Sequence, residues 1–103
     1  VRQFDVIQNP SPRSREMAPL VVVLQSHLLD AMPTVVIAPM LAADEFTAYS
    51  RTTAKVEFGD LRYVVSIAEL AAADVRHLAN SQGNLLAFED ELRRALNVVF
   101  TGF

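Results

Sequence analysis

The strongest constraint in this sequence lies near its carboxyl-terminal end. Leu85, Phe88, Leu92, Leu96 and Val99 recur at three- and four-residue steps, which places them on one face of an α-helix. The spacing predicts a helix from about Asn84 to about Phe100, with Asn84 as the N-cap. Glu89, Asp90 and Glu91 precede Arg93 and Arg94, an order that complements the helix dipole. Glu89–Arg93 and Asp90–Arg94 stand four apart in the favourable orientation, each pair worth ~0.2–0.5 kcal/mol. A helix with one apolar stripe must bury it against something, and the rest of the chain supplies strands.

Gln3–Gln8 reads as a first strand with Phe4 and Val6 on one face. Asn9–Pro19 holds three prolines and reads as a loop between strands. Leu20–Gln25 is an unbroken apolar run rich in valine, the mark of a strand buried on both faces. Ser26–Pro33 is less regular. Val35–Ala38 reads as a short strand closed by Pro39. Ala54–Phe58 and Leu61–Ser66 flank Gly59-Asp60 and predict a β-hairpin. Ile67–Ala73 has helix-favouring composition, but its place between hairpin and helix favours recruitment into a sheet. Val75–Leu78 is expected to be one more short strand.

The 103 residues fit a single domain, 1–103, and 51% of them are apolar, enough for a core with some apolar surface left for a partner. A homodimer is the simplest way to cover such surface. There is no cysteine, which removes disulfides, thiolate catalysis and cysteine-bound metals. No basic region precedes a long apolar run, and the longest such run, Leu20–Leu24, is far below the ~18 residues of a membrane span. A cytoplasmic protein with no membrane attachment is expected. The net charge is −3 and the nine basic residues are scattered, which disfavours direct binding to nucleic-acid phosphates.

Catalysis finds no support in the motifs. Ser26 and His27 are adjacent, but neighbours seldom place an imidazole on the hydroxyl, and no third group is identifiable to orient it. His27 and His77 are the only histidines and lack ligand-spaced partners. Three glycines form no phosphate-binding loop. The expectation is a binding protein without catalytic residues, metal or cofactor. At the far end, Gly102 stands where helices commonly end in a left-handed residue. Phe103 follows on a tail reaching at most ~10 Å past the helix, so its ring is expected on a dimer mate or a partner.

The run Glu91–Phe103, with an amphipathic helix, Asn97, the apolar triplet Val98-Val99-Phe100 and then Gly102, resembles the end of the CcdB toxin family. Further blocks agree in order: Gln3-Phe4; Val23-Leu24-Gln25-Ser26 leading into Leu28-Leu29-Asp30; Val35-Val36-Ile37 with Pro39; and Glu57-Phe58-Gly59-Asp60 with Tyr63. The resemblance covers almost the whole chain. It implies a mainly β fold with one C-terminal α-helix, a CcdB/MazF-like (SH3-like) antiparallel barrel plus a small second sheet, paired as a homodimer. It also implies a toxin that binds the A subunit of DNA gyrase and traps the gyrase–DNA cleavage complex. A CcdA-like antitoxin would neutralise it, and operator DNA would be touched only through the toxin–antitoxin complex, which represses its own operon. The family's gyrase-binding residues fall on Thr101, Gly102 and Phe103. Its antitoxin-binding residues fall on Leu28, Leu29, Asn97, Phe100 and Thr101.

One departure stands out. Family members often carry tryptophan where this chain has Thr101, and threonine makes no cation–π contact, worth ~0.5–2 kcal/mol. Phe103 is the aromatic offered instead. Two alternatives therefore stay open: a homologue that binds antitoxin but no longer poisons gyrase, and a MazF-like ribonuclease. For the latter the candidates Arg13, Arg15, Ser26, Thr52 and Thr53 form no defensible spacing.

Overall fold

The computed structural model describes residues 1–26, 31–43 and 50–102. Among these residues the chain forms seven strands: β1 (Asp5–Gln8), β2 (Leu20–Val23), β3 (Thr34–Ala42), β4 (Thr53–Phe58), β5 (Leu61–Ser66), β6 (Ala71–Asp74) and β7 (Gly83–Asn84). One α-helix, α1, spans Glu89–Thr101. All strand pairs are antiparallel. They run β4-β5-β3-β2-β1-β7, and β6 branches from β3. The architecture is the mainly β fold with one late helix that the sequence predicts. The expected minor sheet takes the form of the β6 branch.

The valine run makes β2 the centre of this sheet because side chains alternate across a strand. Val22 and Leu24 face the helix side with Phe4, Val6, Met40 and Val65. Val21 and Val23 face the other side with Ile7, Val35 and Ile37. Burying each such side chain is worth ~1.5–3 kcal/mol, so a strand that is apolar throughout feeds two cores at once.

Strand β3 does not stop at Pro39. It runs nine residues, Thr34–Ala42, with Pro39 inside it opposite Val21. Leu24 donates its N–H to the Val36 carbonyl at 2.9 Å, so alternate residues of β3 turn their backbone groups toward β2, and Pro39 faces the opposite margin. There β3 pairs with β6 through Ile37 and with β5 from Met40 onward. Pro39 stands where one neighbour has ended and the next has not begun, so its missing N–H costs no ladder bond.

The hairpin has the predicted register, with Phe58 opposite Leu61. Gly59 (φ 58°) and Asp60 (φ 65°) are both left-handed, the type I′ geometry whose twist matches the flanking strands. After β5 a 3-10 turn, Ile67–Glu69, redirects the chain into β6, so the sheet does claim Ala71–Ala73. Val75–Leu78 is not a strand. Val75–His77 form a 3-10 turn, because the Asp74 carboxylate accepts from the Arg76 N–H at 2.9 Å and curls the backbone. The ring of Phe58, at the end of β4, lies on Gly83 of β7, bringing the two ends of the strand path together. No helix among the described residues is long and apolar enough to cross a membrane.

Candidate functional site

Helix α1 docks through fully buried Leu92 and Ala95, with Phe88, Leu96 and Val99 packed alongside. This is the predicted stripe, but the helix begins at Glu89 and not at Asn84. Asn84 belongs to β7, opposite Asp5, and its Oδ1 accepts from the Leu86 N–H at 2.7 Å. It therefore caps the 3-10 turn Leu86–Phe88 that leads into α1. Of the two expected ion pairs, Arg93–Glu89 forms at 2.8 Å. Asp90–Arg94 does not. Arg94 instead pairs with Glu91 at 2.8 Å and donates to the Thr53 carbonyl at 2.7 Å and the Arg51 carbonyl at 3.1 Å. The helix lies against β4, and the carbonyls at the start of that strand give Arg94 more acceptors than exposed Asp90 offers. These bonds fasten α1 to the sheet midway along its length.

Away from the buried stripe, Asn97, Phe100 and Thr101 follow at i, i+3 and i+4 and share one surface of the final turns. All three are exposed, and Phe100, a large aromatic, is 68% exposed. Gly102 is also exposed and takes φ 81°, its N–H donating to the Val98 carbonyl at 3.0 Å. This is the left-handed cap the sequence predicts. The Thr101 hydroxyl donates to the Asn97 carbonyl at 2.6 Å, so its polar atom is turned back onto the helix. No basic residue lies in the last turn, so the negative end of the helix dipole is open to a cation from outside. The tip thus combines an uncovered aromatic ring, two small residues and a cation-favouring helix end.

The structure brings Asn97, Phe100, Thr101 and Gly102 together at this tip. Leu28, Leu29 and Phe103 lie outside the described residues, as does His27. The ribonuclease candidates are not gathered. Arg15 donates to the Asn9 carbonyl at 2.9 Å within the β1–β2 loop. Thr53 exchanges bonds with Ser50, accepting its N–H at 2.8 Å and donating to its carbonyl at 3.0 Å. The Thr52 hydroxyl also meets Ser50, at 3.1 Å. A feature the sequence reading does not single out is a concavity of about 440 Å³ on the sheet face opposite α1, with Asp5 in its wall. Its one signal in the sequence is an aspartate between Phe4 and Val6 in an otherwise apolar strand.

The fold is similar to that of several solved toxins. One, an endoribonuclease from a mycobacterial species in complex with its cognate antitoxin, has a TM-score of 0.79 at 13% identity, covering 96% of this chain and 93% of that one. The Mycobacterium tuberculosis toxin MazF-mt6 has a TM-score of 0.70 at 21% identity, with 96% of each chain covered. A further M. tuberculosis toxin has a TM-score of 0.68 at 23% identity, covering 79% of this chain and 91% of that one. A comparison with curated proteins finds no match. The curled sheet and late helix define the class, a toxin of the toxin–antitoxin kind. The sequence matches the family model described as CcdB protein over residues 3–102, and the chain belongs to the CcdB family.

Proposed function

We propose that this protein acts by binding and carries out no catalysis: as a homodimer it engages the A subunit of DNA gyrase through the tip of α1 and traps the gyrase–DNA cleavage complex. The observation that carries this reading is the exposed Phe100 ring beside Thr101 and Gly102. An aromatic face at the negative end of a helix suits an arginine on a partner protein, by cation–π attraction and by the dipole. The net charge of −3 favours docking on protein over docking on nucleic acid. A CcdA-like antitoxin competes for the same tip, with Leu28 and Leu29 as its second contact, and the toxin–antitoxin complex represses its own operon. The site of action is the cytoplasm.

Purified protein is expected to inhibit gyrase supercoiling and to accumulate cleaved DNA, and to leave RNA intact after long incubation. Phe100→Ala, or deletion of Gly102 and Phe103, is expected to abolish the inhibition. Unchanged inhibition in both variants would remove the tip from the mechanism. RNA cleavage by the purified protein would favour the ribonuclease reading, for which the mycobacterial endoribonuclease is the fold-level precedent. Antitoxin binding with no effect on gyrase would mark a homologue that has lost that target.

A further inference from the structure

Asp5 is 8% exposed, and its side chain accepts two hydrogen bonds: Oδ2 from the Arg2 backbone N–H at 2.8 Å and Oδ1 from Asn84 Nδ2 at 2.9 Å. Both donors are neutral. Among the described residues Asp5 takes part in no ion pair. A carboxylate offers about four acceptor positions, and burying its charge is costly without a cation or a full set of donors. Half of this group's capacity is unused.

The unused side has space beside it. Val6 pairs with Val22, so Asp5 falls next to Val23 in register and shares the sheet face of Ile7 and Val23. That face opens into the 440 Å³ concavity, whose wall includes Asp5, Val23, Val35 and Leu78, with polar groups from Thr34 and Asn80. The volume is in the range of small-molecule sites. Apolar side chains and a single uncompensated anion select for a cationic head on a hydrocarbon stem.

We infer that this cavity binds an alkylammonium group, its head on the Asp5 carboxylate and its stem against Val23, Val35 and Leu78. The group comes either from a free small amine or from a lysine side chain of a protein partner. The site lies on the face opposite α1 and does not depend on the proposed action on gyrase.

The test is an NMR titration of the folded protein with n-butylammonium, Nα-acetyl-lysine amide and, as the neutral control, n-butanol. The two ammonium probes are expected to give saturable shifts at Val23, Val35 and Leu78, with n-butanol at least about tenfold weaker, as loss of a charge-assisted hydrogen bond requires. Tighter n-butylammonium assigns the site to free amines, and tighter acetyl-lysine amide assigns it to a protein lysine. Asp5→Asn is expected to weaken both by about tenfold or more. Leu78→Trp, which fills the cavity and leaves the carboxylate in place, is expected to abolish both and decides the matter should Asp5→Asn fail to fold. Absence of saturable shifts, binding of n-butanol as tight as the ammonium probes, or undiminished binding in Leu78→Trp would overturn the assignment.

Discussion

Gly83 lies so close beneath the ring of Phe58 that a Cβ built on it would stand 2.6 Å from Phe58 Cε1. The contact joins β7 to the end of β4, the outermost strands of the sheet path. Gly83→Ala must push the ring aside and also places a side chain at φ 156°, so it is expected to destabilise the protein by ~1–3 kcal/mol. Urea unfolding reads this directly. A loss below ~0.5 kcal/mol, the range of ordinary surface changes, would mean that the ring yields freely.

Phe4 is fully buried yet holds φ 70°. Its N–H donates to the Val23 carbonyl at 2.6 Å and its carbonyl accepts from the Leu85 N–H at 2.8 Å, bonds that hold the left-handed turn in place. Phe4→Ala loses the ring and keeps the backbone strain, and is expected to cost ~3–5 kcal/mol. Phe4→Gly is expected to be no less stable than Phe4→Ala, inverting the usual order for a buried site, because glycine accepts positive φ without penalty. The relative denaturation midpoints decide it.

Arg93 and Arg94 are neighbours with unequal work. Arg93 pairs with Glu89 on the surface and its guanidinium carbon stands 5.9 Å from the Phe4 ring centroid, so Arg93→Ala is expected to cost about 0.5 kcal/mol. Arg94 donates to two backbone carbonyls of another element as well as to Glu91. Arg94→Ala is expected to cost ~1–2 kcal/mol. Equal losses in the two variants would contradict the bridging role of Arg94.

The parts of the fold readable from sequence are those in which neighbours along the chain decide the outcome. Val21–Val23 need both faces covered, Gly59-Asp60 sets its own turn, and the Leu92–Leu96–Val99 stripe needs only helical spacing. The parts not readable depend on distant partners. Pro39 belongs inside a strand only because β5 and β6 divide its outer margin. Ala71–Ala73 become a strand only because Val35 and Ile37 are there to pair with them. Asn84 has the chemistry of a cap but is held to Asp5, 79 residues away, so the helix starts later. The same division applies to the site. Asn97, Phe100 and Thr101 are exposed because they lie off the stripe, whereas the setting of Asp5 is assembled from four separate segments.

Asp74 titrates below the ordinary aspartate range, because the Arg76 guanidinium and then the Arg76 N–H bond its charged form, outweighing the opposing effect of burial. Its folded-state pKa therefore lies below the unfolded value. The stabilisation is present above the unfolded value, about 3.9, and is lost as pH falls through the folded one. A carbon-detected NMR titration is expected to place the Asp74 midpoint below 3.9, and Arg76→Ala to raise it. An unmoved midpoint in the variant would deny the Arg76 link.

Thr101→Trp restores the aromatic that related toxins often carry. It breaks only the exposed bond to the Asn97 carbonyl, so stability is expected to change by less than ~0.5 kcal/mol. If the tip faces a guanidinium on gyrase, the concentration that inhibits supercoiling is expected to fall by about two- to thirtyfold, the equivalent of one cation–π contact. Unaltered inhibition would put that contact elsewhere.

Pro39 has an effect beyond its own strand. Where the margin of β3 passes from one companion to the other, an ordinary residue would leave a bare amide ready to recruit foreign backbone. Proline silences that opening. The seam is thereby closed to unsought pairing, and a molecule whose work is to be captured and released by others does not clump along its longest strand.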